Sequence, residues 1–576
     1  VADSADVKIV VSTNSDLSSP ILTSSSVASS DRIARHTVTG LTANTTYYWG
    51  QLVGGVLDIG KIGKFKTAPA INSQASFRFA ASSCAQVGSN HAVYDQIRSI
   101  NPAFFIHMGD IHYADSTSTD EAVRQALYDD VLALSKPGQL FREVPCPYIY
   151  DDHDFCGNNS DSTSTGAAAA KASFRARVPV PVASGAGGAN YYSFVYGRVR
   201  FIVTDLRSAR SPVGNTDNSS KTMMGSTQKT WFKDELVAAV AANQVIVWVS
   251  SVPWLETTAN NDDGWADYNT ERVELADYMK ANGVLGRILI SSGDMHAIAW
   301  DTGGADYATG GGMPIPIFHS APLDRTPSSK GGPYDAGPYQ NNNQFGYFDV
   351  TDNGYAGVVF AYTGTNSVGG TVTTTSVTLG KQDYDSFTGG ATAALAGHVA
   401  ESGQTWAQKT GAATGEISIG TDSVFLSALT SGSAGRWYVQ PFSAQDVSIT
   451  STMEMKSTPG SSMGLLARLQ SGAVTAYYGG YSTSSGWTIR KYVAGVETTI
   501  GNSAHTWAAG VTHKVQFDVV GSTLTLTVDG VEVLSFTDTS ITGAGDVGIR
   551  SANASSTSSE TTGLHMHDYR AVAVNV

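Results

Sequence analysis

Cysteine is scarce in this chain, with three residues in 576. An odd and small number argues against a disulfide-held scaffold. Charge is sparse as well. Asp, Glu, Lys and Arg make up 15% of the residues, and 36 basic residues face 50 acidic ones, for a formal net charge of -14. There is no Lys/Arg-rich run, which argues against nucleic acid as the main partner. No apolar run approaches the roughly 18 residues of a membrane-spanning helix. The chain opens on Val1 without a leader-like segment, so it reads as the mature form of a secreted or periplasmic protein.

Glycine is abundant, with 60 residues, and Ser and Thr are plentiful. Such a composition suits β-rich exported proteins. The apolar fraction of 41% supports large cores, and the length suggests about three to four domains.

Four apolar runs share one kind of ending. Phe77-Arg-Phe-Ala-Ala-Ser-Ser-Cys84 ends in a thiol. Ala103-Phe-Phe-Ile-His-Met-Gly-Asp110 ends in a carboxylate, with Tyr113 three residues on. Pro147-Tyr-Ile-Tyr leads into Asp151-Asp152-His153-Asp154. Arg287-Ile-Leu-Ile-Ser-Ser leads into Gly293-Asp294-Met-His296. Short buried runs of this type read as parallel strands, whose carboxyl ends open into a site. Donors of N, O and S at four such ends point to a metal-dependent hydrolase.

Along the chain, residues 1–70 read as a small β-sandwich. The stretch Gly40-Leu-Thr-Ala-Asn-Thr-Thr-Tyr-Tyr-Trp49 resembles the corresponding strand of fibronectin type III domains. Residues 77–365 alternate strands with helical patterns, the signature of an α/β domain. Helices are expected over 91–100, 119–134, 226–242 and 268–282. Residues 303–345 are rich in Gly, Pro and Asn and read as one long loop that shapes the substrate pocket. Residues 366–389 hold one strand and a linker, and 390–576 turn entirely β. There the turn Val528-Asp-Gly-Val531 resembles concanavalin-like, laminin-G-like sandwiches. The expected fold is multidomain: a central α/β sandwich flanked by an N-terminal β-sandwich and a C-terminal all-β, jelly-roll-like sandwich.

Taken singly, each donor has an ordinary structural role. Asp110 could cap a helix, Tyr113 could be a packed aromatic, and Cys84 could be a buried apolar side chain. Taken together they define a chemistry. Two metals about 3.5 to 4 Å apart clamp the attacking and leaving oxygens of a phosphoryl transfer, with a carboxylate such as Asp110 bridging them. Three carboxylates around His153 would be costly to pack without a cation, and a histidine there can pass a proton to the leaving oxygen. The segment His565-Met-His567-Asp568 also carries donors, but an alternating, exposed strand face is the expectation for it. Cys146 and Cys156 are near enough to pair, which would leave Cys84 free.

These motifs, in this order, resemble the metallophosphoesterase superfamily and its PhoD-like alkaline phosphatase branch. They are Ala-Ser-Ser-Cys84, His107-Met-Gly-Asp110-Ile-His-Tyr113, Tyr150-Asp-Asp-His-Asp154, Thr204-Asp-Leu-Arg207 and Gly293-Asp-Met-His296. The resemblance implies Fe(III) with Ca2+ or another divalent metal, Zn2+ and Mn2+ included. It implies that Cys84, Asp110, Tyr113 and His296 hold the iron, with Asp110 bridging to a second ion held by Asp152 and Asp294. It further implies a hydroxide on the metals that attacks phosphorus in a phosphomonoester or phosphodiester. His153 would stand near the leaving group, and Arg207 or Arg210 would grip phosphate oxygens. The branch usually has Trp before its Asp-Asp-His and Glu after it, whereas Tyr150 and Asp154 stand here, so the role of Asp154 stays open. An alternative reading is a surface-binding protein around an inactive hydrolase, with flanking β-domains that could bind polysaccharide or a cell surface. The intact donor set counts against it.

Overall fold

The structure, a computed structural model, describes residues 6–575 except 24–25, 28–32, 185–186, 257–263, 285, 304–314, 386, 388–392, 401, 403, 410–414, 420–422, 430–435, 458–460, 554–558 and 560–561. The chain divides into two compact units. One comprises Val1–Tyr278, Ile288–Asn353 and Val358–Val377, and the other comprises Met279–Arg287, Gly354–Gly357 and Thr378–Val576.

The first unit begins with an antiparallel sheet. Asp6–Ser12 pairs with Thr46–Val53, which also pairs with Gly63–Lys66. Its aromatic strand buries Tyr47, which stacks on Phe65 at 5.8 Å.

Two further sheets carry the centre of this unit. The smaller runs in the order Thr371–Leu379, Val358–Asn366, Gln344–Asp352, Phe77–Ser82, Phe104–His107. The larger runs Ala336–Tyr339, Ile298–Asp301, Ile317–Ser320, Ile288–Ser292, Val245–Ser250, Val199–Val203, Tyr192–Tyr196. Phe77–Ser82 and Phe104–His107 are parallel, as are the four strands from Val199–Val203 to Ile317–Ser320 in the larger sheet. Strands covered on both faces explain the unbroken apolar runs, of which Val245–Ser250 is buried at every residue.

Aromatic side chains join the two sheets edge to face. Phe79 meets Phe201 at 5.3 Å, Phe104 meets Phe194 at 5.6 Å and Phe348 meets Phe318 at 5.1 Å. Each fully buried ring among them contributes about 1.5–3 kcal/mol through the water it sheds, and the half-buried Phe194 less. The core therefore fixes the strands whose ends build the site.

The expected helices form over Ala92–Ser99, Glu121–Ala133, Gly225–Ala241 and Asn269–Ala281. His91 and Asp120 cap the first two by accepting from Val93 N and Ala122 N. No helix among the described residues is long and apolar enough to cross a membrane.

The span 303–345 is not one loop. Ile317–Ser320 is a fully buried strand inserted between Ile288–Ser292 and Ile298–Asp301, and Ala336–Tyr339 adds an edge strand. Pro and Gly neighbours mask a strand of only four residues, of which Ile317 and Phe318 alone are apolar. Residues 304–314 of that span lie outside the described residues. Cys146 and Cys156 do not pair: both are free thiols. Cys146 packs against the cluster around Leu140 and Val144, and Cys156 lies 3.5 Å from Arg124 Nη2.

From Thr378 onward the second unit is all β among the described residues, built from a ten-stranded and a seven-stranded sheet. Its core gathers Trp406, Trp487, Trp507, Phe517 and Leu526. Thr523–Val528 and Val531–Thr537 form a hairpin through Asp529 and Gly530, both at positive φ (52° and 80°), as a two-residue hairpin turn requires. His565 is not on an exposed face. It is fully buried, with Nδ1 2.8 Å from Ser423 Oγ and Nε2 2.8 Å from the Ser559 carbonyl.

Candidate metal centre

The site is set by what the chain does on leaving three strands. Beyond Phe77–Ser82 the backbone turns at Cys84 (φ 64°), beyond Phe104–His107 at Asp110 (φ 56°), and beyond Ile288–Ser292 at Asp294 (φ 59°). Left-handed backbone at a residue other than glycine costs free energy and persists where the surroundings enforce it. Here the loops enforce each other. Cys84 N–H donates to the Gly109 carbonyl at 3.2 Å and Ala85 N–H to the Asp110 carbonyl at 2.8 Å. Gly109 (φ 107°) has no room for a side chain, since a Cβ there would stand 2.4 Å from Asp151 Cβ and 2.9 Å from Asp151 N. Gly293 is closed off in the same way, since a Cβ there would stand 2.7 Å from the Met108 carbonyl oxygen.

The turns aim their donors at one place. Tyr113 Oη lies 2.8 Å from Asp110 Oδ2 and 2.8 Å from His296 Nε2. Cys84 Sγ lies 3.6 Å from Asp110 Oδ2. His296 Nδ1 donates to the Thr326 carbonyl at 2.7 Å, which leaves the Nε2 lone pair facing the cluster. Among the described residues, three sets of ligand atoms lie within 4.8 Å of one another: Cys84, Asp110 and His296; Asp110, Asp152 and His153; Asp151, Asp152 and Asp294. Asp110 is common to the first two sets, and Asp152 to the last two.

Asp152 sits at the start of a four-residue helix, Asp152–Phe155, held by a reciprocal capping box between Asp151 and Asp154. Asp152 Oδ1 accepts from His153 N at 2.8 Å, and Oδ2 from Asn159 N at 2.6 Å. His153 packs its ring 4.0 Å from that of Tyr113 and sets Nδ1 2.5 Å from Asp115 Oδ1.

The remaining sequence candidates stand around this cluster. Arg207 is buried, with Nε 2.6 Å from Asp151 Oδ1 and Nη2 4.0 Å from Asp152 Oδ1. Arg210 is buried elsewhere, and its Nε donates to Tyr268 Oη at 2.7 Å. Asp154 accepts from Asp151 N at Oδ1 and from Ile111 N and Tyr148 Oη at Oδ2, so it ties the Asp110 loop to the 151–154 turn. Four polar neighbours carried no role in the sequence: Asp151 as a member of the carboxylate set, Asp115 behind His153, and Arg325 and Lys330. No periodicity marks Asp115, Arg325 or Lys330. Asp151 had a signal in its place beside Asp152.

The electrostatics ask for a cation. Burial, and after it Asp152, Asp151, Asp154 and Asp294, push the Asp110 carboxyl well above the usual range. Burial and then Asp110 push up the Cys84 thiol and the Tyr113 phenol. Negative groups packed this closely away from water are stable when a metal shares their charge. Burial lowers His296 to about 4, so its imidazole is neutral at physiological pH, the form that ligates metal. The donor set therefore fits a metal centre. Cys, Tyr and His beside a carboxylate suit a transition ion, whereas the all-carboxylate set suits a harder one.

Comparison with known proteins agrees with this geometry. Residues 79–367 match the family model of PhoD-like phosphatase. A solved PhoD structure superposes with a TM-score of 0.50 at 18% identity, covering 65% of this chain and 87% of that one. A purple acid phosphatase from yellow lupin (Lupinus luteus) seeds gives 0.41 at 14% identity, covering 65% and 70%. A carbohydrate-binding module from Bacillus subtilis gives 0.23 at 14% identity, covering 29% and 90%. No curated protein matches in sequence. The family match spans just over half of the chain and encloses every strand-end donor from Cys84 to His296, so this protein belongs to the PhoD-like phosphatase family.

Proposed function

We propose that this phosphatase-family protein hydrolyses phosphate esters at a metal centre held by Cys84, Asp110, Tyr113 and His296 on one side and by Asp152 and Asp294 on the other. The observation that carries the reading is the linking of the donor sets: Asp110 joins the Cys84 and His296 set to Asp152, and Asp152 in turn belongs to the carboxylate set with Asp294. On donor chemistry, Fe(III) suits the thiol, phenol and imidazole side, and Ca2+ or another divalent ion suits the carboxylate side. When bound, the metals supply Lewis acidity toward the phosphoryl oxygens and an activated water.

The chain's own residues do the rest. His153, aligned by Asp115 through Nδ1, offers Nε2 to deliver a proton to the leaving oxygen. Arg207 keeps Asp151 and Asp152 in place from below the surface. Asp154 fixes the relative position of the Asp110 loop and the short helix. Composition favours action outside the cytoplasm, since charge is low and small polar residues are abundant.

The test is elemental analysis of the purified protein with its visible spectrum, beside assays on an aryl phosphate monoester and a bis-aryl phosphate diester. About one equivalent of iron, a charge-transfer band and hydrolysis of either ester support the reading. Two equivalents of colourless metal with activity would remove iron but keep the phosphoesterase. No metal bound or regained, with no hydrolysis, would sink it and favour a surface-binding protein.

A further inference from the structure

The segment that follows the Ile317–Ser320 strand comes back to the cluster and brings two further cations to it. It is anchored beside Cys84. Leu323 N–H donates to the Ser83 carbonyl at 3.0 Å, and Asp324 accepts from Gln86 N at 2.7 Å and from Ser89 Oγ. Thr326 then receives His296 Nδ1, and Ser328 N–H donates to the His296 carbonyl at 3.2 Å. So held, the segment places the Arg325 guanidinium 3.9 Å over the Tyr113 ring. It places Lys330 Nζ 2.8 Å from Asp294 Oδ2 and 3.0 Å from Oδ1.

The Lys330–Asp294 pair sets up a conflict of charge. Asp294 belongs to the three-carboxylate set, yet an ammonium grips both its oxygens. A divalent ion arriving at Asp294 would meet a like charge at hydrogen-bonding distance from the same carboxylate. The two cations coexist best with an anion between them. Lys330 can reach such an anion, because its four-carbon stem is flexible. Its side chain is 19% exposed whereas that of Asp294 is 6% exposed, so the lysine approaches from the open side.

We propose that Lys330 is a substrate-binding residue whose ammonium moves from Asp294 to a non-bridging phosphoryl oxygen when metal and ester are bound. Because it adds one positive charge, it favours a phosphomonoester dianion over a phosphodiester monoanion. The inference rests on the phosphoesterase reading above and deepens it. It makes an unusual demand, since removing the charge should strengthen metal binding and weaken phosphate binding. A merely structural lysine would move neither, or would move both the same way.

The experiment uses the full chain with Lys330→Met and Lys330→Arg. Mn2+ binding to the metal-stripped proteins is measured by calorimetry. Inhibition by inorganic phosphate, and KM and kcat for the two aryl esters, are measured on the metal-loaded proteins. Lys330→Met should bind Mn2+ severalfold more tightly. It should lose about tenfold or more in phosphate inhibition, as expected for one charge-assisted hydrogen bond. Its monoester KM should rise more than kcat falls, with the diester KM little changed. Lys330→Arg, which keeps the charge, should restore phosphate inhibition to within about threefold of wild type. Unchanged phosphate inhibition in Lys330→Met, or weaker Mn2+ binding, overturns the proposal in an enzyme that is otherwise active. If wild type hydrolyses neither ester, the phosphoesterase reading is what fails. Direct phosphate binding to the metal-loaded proteins then decides Lys330, and equal affinity in wild type and Lys330→Met overturns its role.

Discussion

Arg207 binds Asp151 through Nε at 2.6 Å, and neither side chain reaches solvent. The pair holds a carboxylate of the donor set from the protein side, and Ser251 Oγ adds a second bond to the same oxygen at 2.8 Å. Removing the cation strands a buried charge, which typically costs about 3–5 kcal/mol. Arg207→Met should therefore lower stability by an amount of that order in chemical denaturation. Arg207→Lys should recover only part of it, because the planar fork is lost. Equal stability of Arg207→Met and wild type would show that the pair is dispensable.

Gly109→Ala is expected to be far more damaging than an ordinary glycine substitution. Its Cβ would collide with the backbone and Cβ of Asp151, and its φ of 107° is unfavourable for any L-residue. The collision moves Asp110 and Asp151 apart, so bound metal should fall below one equivalent by elemental analysis. Gly88→Ala, at a glycine with open space around it and similar backbone handedness, serves as the control. It should retain metal.

Tyr113→Phe keeps the ring against His153 and Arg325 but deletes the hydroxyl shared by Asp110 and His296. Metal affinity should drop by at least about tenfold. Any charge-transfer band from a phenolate should vanish, while the far-ultraviolet circular dichroism stays unchanged. Persistence of the band would assign it to another ligand.

Away from the metal centre, Asp518 gives a pH signature. It is buried in the β-rich unit, and burial, the largest influence, pushes its carboxyl up to about 6 against the hydrogen bonds from Ser448 and Gln516. In the unfolded chain the group titrates near pH 4. Between about pH 4 and pH 6 the folded state thus holds more protons than the unfolded state, and stability falls as pH rises. Asp518→Asn removes that loss. It should be the more stable protein at pH 7, by on the order of 2 kcal/mol, with the advantage gone below about pH 4. A difference independent of pH would contradict the assignment.

The sequence discloses those parts of the molecule that depend on local pattern. Strands such as Val245–Ser250 are buried throughout and nearly all apolar because both faces are covered, and donors directly after such strands, from Cys84 to His296, can be read one by one. The strand Ile317–Ser320 escapes, because a four-residue strand with only Ile317 and Phe318 apolar, among prolines and glycines, gives too short a signal. Lys330 escapes for another reason. Nothing near it in sequence announces Asp294, 36 residues away. Arg207 stands out in the sequence as a candidate for gripping phosphate, yet its partner Asp151, 56 residues earlier, does not. A lone cation in a loop reads as a solvated side chain until the fold shows what it faces. Asp154 shows the converse. Its place in an acidic run suggests chemistry, but both its oxygens are engaged in holding backbone and Tyr148.

Tyr113 and His296, 2.8 Å apart in space, are separated by 183 residues of chain. At typical rates of protein synthesis that interval lasts roughly 10 to 40 s. Cys84, Asp110 and Tyr113 are thus made first and wait, without their histidine, until the Ile288–Ser292 strand has been produced and paired. The donor set is consequently complete only once residue 296 has been made. A thiol and a phenol must survive that interval in a half-built pocket, and no amino-terminal fragment ending before residue 296 can carry the complete centre.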